Sequence, residues 1–157
     1  MSNPISSEIS FDENGKHIGY LRLPHSVHRS AYGWIPIPVA SIRNGEGPVI
    51  LISAGNHGDE YEGQIIVSSL IREIEADMVR GQLILLPMAN YPAAQAGSVA
   101  VRGCGVNRQQ SLHLLCVIEI RTHFPAADPA GEVHVSHYAG AAIAVLGLPI
   151  PPGAGCI

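Results

Sequence analysis

Positive charge is scarce in this sequence. Its 157 residues include one lysine, Lys16, and eight arginines, and the formal net charge is −4. Proteins that bind nucleic acids or anionic membranes present a basic face to them. The charge balance therefore argues against both kinds of partner. Hydrophobic residues make up 46% of the chain and charged residues 14%, which is typical of a globular domain with a core.

Cysteines and long apolar runs are also few. The three cysteines, Cys104, Cys116 and Cys156, form no Cys-x-x-Cys pair, so a disulfide framework is not predicted. The N-terminal segment MSNPISSEISFDENGK lacks the apolar core of a secretory signal. The longest apolar stretch, YAGAAIAVLGLPIPP, is shorter than the about 20 residues of a membrane span. We therefore expect a cytoplasmic protein in a reducing compartment.

Residues 1–45 are predicted to form a β-rich segment. The runs SEISF and HIGYLRL flank DENG, which is a hairpin signal. The run WIPIPVASI follows and is also predicted to be a strand. Because proline cannot donate to a sheet ladder, Pro36 and Pro38 place this strand at an edge.

Residues 46–157 are predicted to form an α/β domain. The apolar runs VILISAG and LILLPMA are typical of strands buried on both faces, and helical spacing of apolar residues predicts a helix over Tyr61–Val79 between them. Strand, helix and strand in this order form a βαβ unit with parallel strands. Residues 98–157 differ in composition, and the pattern there predicts only a short helix from about Ser136 to Leu146.

One motif, GNHGDEYEG, combines residues that bind metal ions. His57 and Glu60 lie three residues apart, beside Gly55 and Gly58, directly after the first buried strand. Zinc hydrolases take their ligands from His and Asp or Glu and keep one position for a water molecule. His-x-x-Glu is also common by chance, and acidic residues at a helix start are ordinary capping. The position at the carboxyl end of a parallel strand favours a ligand site.

The motif and its flanks resemble a known family. GNHGDEYEG is similar to the zinc-binding signature of the succinylglutamate desuccinylase/aspartoacylase family, which is related to zinc carboxypeptidases. The flanks YGWIPIPVASIRNGEGPVILISAGNHGDEYEGQ and LPMANYPAAQAG resemble its N-acetyl-diaminobutyrate deacetylase-like branch, which acts in ectoine degradation. The resemblance implies an incomplete zinc-carboxypeptidase-like α/β fold. Its mixed, largely parallel sheet would carry flanking helices and follow an N-terminal β-rich segment.

The resemblance also implies an activity and a set of site residues. The expected reaction is zinc-dependent hydrolysis of the amide bond of a small N-acyl amino acid, of the acetyl-diaminobutyrate, acetyl-aspartate or succinyl-glutamate type. His57 and Glu60 match the first two zinc ligands. Asn107 and Arg108, in GVNR, partly match a segment that binds the substrate carboxylate. The catalytic residues are unknown, because no residue matches the general base.

The third zinc ligand of the family is not found where the resemblance places it. That window falls on PIPPGAGCI, so we hypothesise a truncated or frameshifted member that diverges after Gly97. The alternative to an active enzyme is an inactive remnant, or an amino-terminal half that needs a partner chain; homo-oligomerisation also stays open. Other histidines are candidates for a substitute ligand, and Cys104 is interpreted as an inert thiol. The histidine candidates are His134 and His137, with His113 and His123 as weaker ones.

Overall fold

The described part of the chain forms one mixed β-sheet with helices against it. The computed structural model describes residues 5–25, 33–99, 134–138 and 141–146, the last two ranges by their backbone alone. The described strands pair in the order β1-β2-β3-β5-β4-β7-β6. They are β1 (Ser6–Ser7), β2 (Gly15–Pro24), β3 (Trp34–Asn44), β4 (Val49–Ala54), β5 (Gly81–Leu86), β6 (His134–Tyr138) and β7 (Ala141–Leu146). The helices are α1 (Tyr61–Glu73) and α2 (Tyr91–Ala96), with a short 3-10 helix at Ala76–Met78.

The predicted βαβ unit is confirmed. β4 and β5 pair in parallel, from Val49 opposite Gln82 to Ser53 opposite Leu86, and α1 connects them. The helix is shorter than the predicted Tyr61–Val79, because Ile74 has extended backbone angles and ends it. The apolar stripe is only partly buried, since Val67 is fully buried while Met78 is 70% exposed.

The α/β class and the mixed sheet with flanking helices are confirmed, but parallel pairing is rarer than predicted. Among the described strands, only β4 and β5 pair in parallel, and the other five pairings are antiparallel. Parallel neighbours need a long crossover connection, whereas antiparallel ones can be joined by short connections. The β4–α1–β5 segment is such a crossover, while β6 and β7 are only two residues apart. The description "largely parallel" is therefore wrong for the described strands.

The prediction that β3 is an edge strand is wrong. β3 lies between β2 and β5 in the sheet. Pro36 and Pro38 are nevertheless placed as their chemistry requires, because β5 pairs with β3 only from Ala40 to Asn44. The half of β3 that contains both prolines pairs with β2 alone. Pro36 and Pro38 lack backbone N–H groups, but no hydrogen bond to β5 is lost, because β5 does not pair with this half of β3.

β3 also joins the N-terminal segment to the rest of the sheet. Its pairing with β5 runs from Ala40 opposite Leu85 to Asn44 opposite Gly81. Strands from both sides of residue 46 thus share one sheet, and the division into segments 1–45 and 46–157 stays a prediction.

The first connection is longer than the predicted tight hairpin. β1 and β2 are antiparallel, as expected, with Ser6 opposite Arg22 and Ser7 opposite Leu21. The intervening loop packs against the sheet, since Phe11 is 1% exposed and belongs to an apolar cluster with strand residues. Gln82 Nε2 donates to the carbonyl oxygen of Phe11 at 2.8 Å, so this loop is anchored by the amino end of β5.

The predicted helix from Ser136 to Leu146 is wrong. This segment contributes to β6 and β7, and β7 pairs antiparallel with β4 from Val49 opposite Leu146 to Ala54 opposite Ala141. β4 consequently has a neighbour on each side, β5 and β7. A central strand covered on both faces explains why VILISA is continuously apolar.

Two apolar clusters cover opposite faces of the sheet. Successive residues of a strand point to opposite faces, and on β5 Ile84 and Leu86 belong to one cluster while Leu85 belongs to the other. The first cluster includes Phe11 and packs against Tyr91 of α2. The second includes Val67 of α1. The two helices therefore lie on opposite sides of the sheet. None of the helices within the described ranges has the length and hydropathy to cross a membrane.

An ion pair links β2 to the chain beyond α1. Lys16 Nζ lies 2.7 Å from Glu75 Oε1, and the Glu75 side chain is 57% exposed. Exposed pairs contribute little, because solvent screens them and ordering the side chains costs entropy. We expect Lys16→Met to lower the free energy of unfolding by less than about 1 kcal/mol in urea denaturation. A loss of more than about 2 kcal/mol would show that this contact matters more than its exposure indicates.

Candidate metal centre

The loop from Gly55 to Glu60 connects β4 to α1 at the carboxyl end of β4. The motif therefore follows a parallel strand, as predicted, at the edge where open α/β sheets bind ligands; a site there stays a prediction. The chain turns sharply out of the strand at Gly55, where φ is +66°. A Cβ at this position would lie 3.0 Å from Met88 Cα and from Pro87 O. Glycine is required here for both reasons.

His57 and Glu60 are brought together by this loop. His57 Nδ1 lies 2.9 Å from Glu60 Oε1, and the two side chains are 37% and 41% exposed. The two atoms are within hydrogen-bond distance, and Nδ1 donates to the carboxylate in the tautomer that carries its hydrogen there. The pair is held at the surface of the sheet edge, where an ion or a small molecule can reach it. Its assignment as a metal-ligand pair stays a prediction.

Ordinary helix capping does not explain Glu60. Glu60 is the N-cap residue of α1, but its side chain makes no hydrogen bond to the backbone of the first turn. The carboxylate bonds to His57 instead. Glu62, in the first turn, is the acidic residue placed to interact with the helix dipole. The geometry thus favours a role for Glu60 in the site.

The donor pair fits two positions of a zinc site. An imidazole nitrogen and a carboxylate oxygen are both usual zinc ligands, and two tetrahedral ligands lie about 3.4 Å apart. His57 Nδ1 and Glu60 Oε1 lie 2.9 Å apart, and a neutral imidazole can bind zinc through the ring nitrogen that carries no hydrogen. Within the part of the chain that the structure describes, no three His, Cys, Asp or Glu residues group closely enough to hold a metal ion.

The register of the sheet separates the two histidines considered as substitute ligands. His137 is opposite Ala142, which is opposite Ser53 near the carboxyl end of β4. His134 is opposite Val145, which is opposite Ile50 near the other end. Two strand spacings, about 9.5 Å, separate β6 from β4. His137 is therefore at the same end of the sheet as the candidate site, whereas His134 is not. A ligand role for either stays a prediction.

The remaining predicted residues cannot be placed in the site. Asn107 and Arg108, predicted to bind the substrate carboxylate, lie outside the described residues. The same holds for His113, His123 and Cys104.

The structure adds two residues that the sequence-based interpretation missed. Gln64 Nε2 lies 3.4 Å from Gly58 O and 3.3 Å from Glu60 O. Asn90 Nδ2 donates to Asn56 O at 3.1 Å. Gln64 falls on the buried face of α1 together with Gly63 and Val67. A polar residue at such a position was the available signal, since buried amides need hydrogen-bond partners.

The loop is also fastened to the end of α2. Gly58 N donates to Ser98 O at 2.9 Å, and Ser98 N donates to Ala93 O at 3.3 Å. A Cβ at Gly58 would overlap the Ala93 carbonyl group and lie 2.7 Å from Ser98 O. The backbone approach at this point therefore leaves no room for a side chain.

Fold and site together define an α/β protein with a candidate two-residue metal centre at the carboxyl edge of its sheet. Residues 46–114 match the sequence model of the succinylglutamate desuccinylase/aspartoacylase catalytic domain. A curated relative, the N-alpha-acetyl-L-2,4-diaminobutyric acid deacetylase of Halomonas elongata, is 44% identical over 95 residues, which cover 60% of this chain and 28% of the relative.

Solved structures agree with this match. The product-bound ectoine utilization protein EutE (DoeB) from Ruegeria pomeroyi is 38% identical with a TM-score of 0.68, over 80% of this chain and 41% of that one. A succinylglutamate desuccinylase/aspartoacylase from Rhodobacter sphaeroides is 38% identical with a TM-score of 0.62, over 82% and 35%. The chain is therefore similar to the succinylglutamate desuccinylase/aspartoacylase family over the matched residues. The chain spans less than half the length of each of these relatives.

Proposed function

We propose that this chain carries the zinc-binding motif of a deacylase that hydrolyses the amide bond of a small N-acyl amino acid. The observation that carries the proposal is the pairing of His57 with Glu60 at the carboxyl end of β4. It is supported by the family match over residues 46–114. The name of the Halomonas elongata relative, a deacetylase of acetylated diaminobutyric acid, supports the substrate class.

His57 and Glu60 would hold the metal ion in this proposal. Bound zinc supplies an activated water molecule and polarises the amide carbonyl group of the substrate. Asp59 and Glu62, which are exposed on either side of Glu60, add negative potential that favours a divalent cation. Asn107 and Arg108 would bind the carboxylate of the substrate, since a guanidinium group can donate two parallel hydrogen bonds to it.

Ectoine degradation is the metabolic setting that we propose. The Ruegeria pomeroyi structure is named as an ectoine utilization protein, and the Halomonas elongata relative is named for acetyl-diaminobutyric acid. Acetyl-diaminobutyrate is therefore the first substrate to test, ahead of acetyl-aspartate and succinyl-glutamate. Neither a nucleic acid nor a membrane is proposed as a partner, because the chain carries a net charge of −4. The cytoplasm is the proposed compartment.

A second candidate is a half-site that is inactive by itself or needs a partner chain. The number of ligands favours this candidate. His57 and Glu60 are two, and the described side chains contain no group of three possible metal ligands. A site with fewer protein ligands binds zinc more weakly. Catalytic zinc sites normally use three.

Zinc content and turnover decide between the two candidates. We expect the purified chain to hold close to one zinc ion by elemental analysis, and to release acetate from acetyl-diaminobutyrate. Stripping with a chelator should abolish turnover, and added zinc should restore it. A folded chain with neither zinc nor turnover would contradict the deacylase proposal for this chain. Bound zinc without turnover would favour the half-site.

A further inference from the structure

Two buried amide side chains hold the loop that carries His57 and Glu60. Gln64 is 7% exposed and Asn90 is 8% exposed. Burying an amide costs free energy unless hydrogen bonds replace those to water. Both residues direct their amide nitrogens at carbonyl groups of the loop.

Gln64 fixes the backbone between the two candidate ligands. Its Nε2 reaches the carbonyl oxygens of Gly58 and Glu60, at 3.4 and 3.3 Å. Both partners are acceptors, so only the nitrogen of the amide can face them. Gly58 directly follows His57, and the second carbonyl group belongs to Glu60 itself. The contacts therefore set the spacing of the two ligands along the loop.

Asn90 fixes the backbone on the other side of His57. Its Nδ2 donates to Asn56 O at 3.1 Å, and its backbone N donates to Gly55 O at 3.0 Å. The Asn56 carbonyl belongs to the peptide group that precedes His57. The peptide group that follows His57 is held through Gly58 N and Ser98 O, at 2.9 Å. Because peptide groups are planar, holding both leaves mainly side-chain torsions to adjust.

We propose that Gln64 and Asn90 are positioning residues, which hold His57 and Glu60 where both can bind one zinc ion. The inference rests on the proposed zinc site. It assigns the orientation of the two candidate ligands to residues that would not touch the ion. A loop with two glycines would otherwise lose much conformational freedom on binding. Anchoring it beforehand removes that cost from the binding step.

The test compares zinc affinity between variants of the whole chain. Gln64→Met keeps the length of the side chain but removes the donor, and Asn90→Ala removes the other donor. Asn90 makes no side-chain capping bond to α2, so helix capping is not disturbed. We expect each variant to bind zinc about 10-fold more weakly in competition with a chelating dye, as for other residues that orient metal ligands.

Gln82→Met is the matched control. Gln82 is 2% exposed, and its Nε2 donates to Phe11 O and Ser41 Oγ, both at 2.8 Å. It lies at the amino end of β5, at the opposite end of the sheet from the loop. This variant should lose thermal stability with little change in zinc affinity. If all three variants bind zinc equally weakly, Gln64 and Asn90 contribute only to the stability of the fold, and the proposal is overturned.

A measurement on the metal-free chain separates this inference from the proposed function. The imidazole nitrogen signals of His57 in 15N NMR report its hydrogen bond to Glu60. We expect Gln64→Met and Asn90→Ala to shift these signals, and Gln82→Met to leave them unchanged. Signals unchanged in the first two variants would overturn the positioning role, whether or not the chain binds zinc. A wild-type chain that binds no zinc but shows these shifts in the variants would contradict the proposed function, while Gln64 and Asn90 would still position His57 and Glu60.

Discussion

Replacing His57 with alanine is expected to weaken zinc binding by at least about 100-fold, more than the loss of a residue that only orients a ligand. The variant removes one of the two candidate zinc ligands, whose atoms His57 Nδ1 and Glu60 Oε1 lie 2.9 Å apart. The imidazole is 37% exposed and contributes little to either apolar cluster. Folding should therefore change little, and the measurement is zinc per chain after dialysis against a weak chelator.

Three further variants make this test specific. Glu60→Gln keeps the shape of the second donor but removes its charge, and should also lose zinc. His17→Ala removes a histidine of β2 whose ring nitrogen contacts a backbone oxygen, that of Asn14, and zinc should be retained. Asp59→Asn removes a neighbouring charge without removing a predicted ligand, so zinc binding should weaken only slightly. Zinc retained in full by His57→Ala would refute the ligand assignment.

The parts of the fold that could be predicted are those with strong local patterns. The runs VILISA and GQLILL form β4 and β5, and α1 lies between them, because buried strands and amphipathic helices carry their signal in adjacent residues. The strand β7 could not be found this way. Its pairing with β4 joins residues about 90 positions apart, such as Ile52 and Ile143. An alanine-rich run such as AAIAVL has no local pattern that separates strand from helix.

The position of β3 shows how a correct local rule can give a wrong placement. Pro36 and Pro38 do lie where the strand has only one neighbour. The rule describes the surroundings of each proline, but β3 continues for six residues beyond Pro38. That second half pairs with β5 and makes the strand internal. The two prolines therefore predicted that this part of β3 has one neighbour, but not that β5 pairs with the rest of the strand.

The candidate site was predictable to the extent that it is local. His57 and Glu60 are three residues apart, and their contact forms within one loop. The contact of Asn90 with Asn56 spans 34 residues, and it exists only because β5 brings its carboxyl end beside that of β4. Residues that hold a site from behind depend on such pairing, so a motif does not reveal them.

Replacing Gly58 with alanine is expected to lower the free energy of unfolding by on the order of 3 kcal/mol, the upper part of the range for overpacking. An added Cβ would overlap the carbonyl group of Ala93 and lie 2.7 Å from Ser98 O. Both neighbours are backbone groups, which cannot rotate away as a side chain can. The loop and the end of α2 must separate, and the hydrogen bond from Gly58 N to Ser98 O is lost with them.

The same change should weaken zinc binding, because Gly58 follows His57 directly and its carbonyl is held by Gln64. Gly45→Ala is the control: it has a φ of +68° and no atom within 4 Å of an added Cβ. It should cost about 1 kcal/mol through its left-handed backbone alone and leave zinc affinity unchanged. Urea denaturation of both variants gives the comparison. If Gly58→Ala is no less stable than Gly45→Ala, the loop does not pack as closely on α2 as inferred. The orientation of His57 must then be set by other contacts.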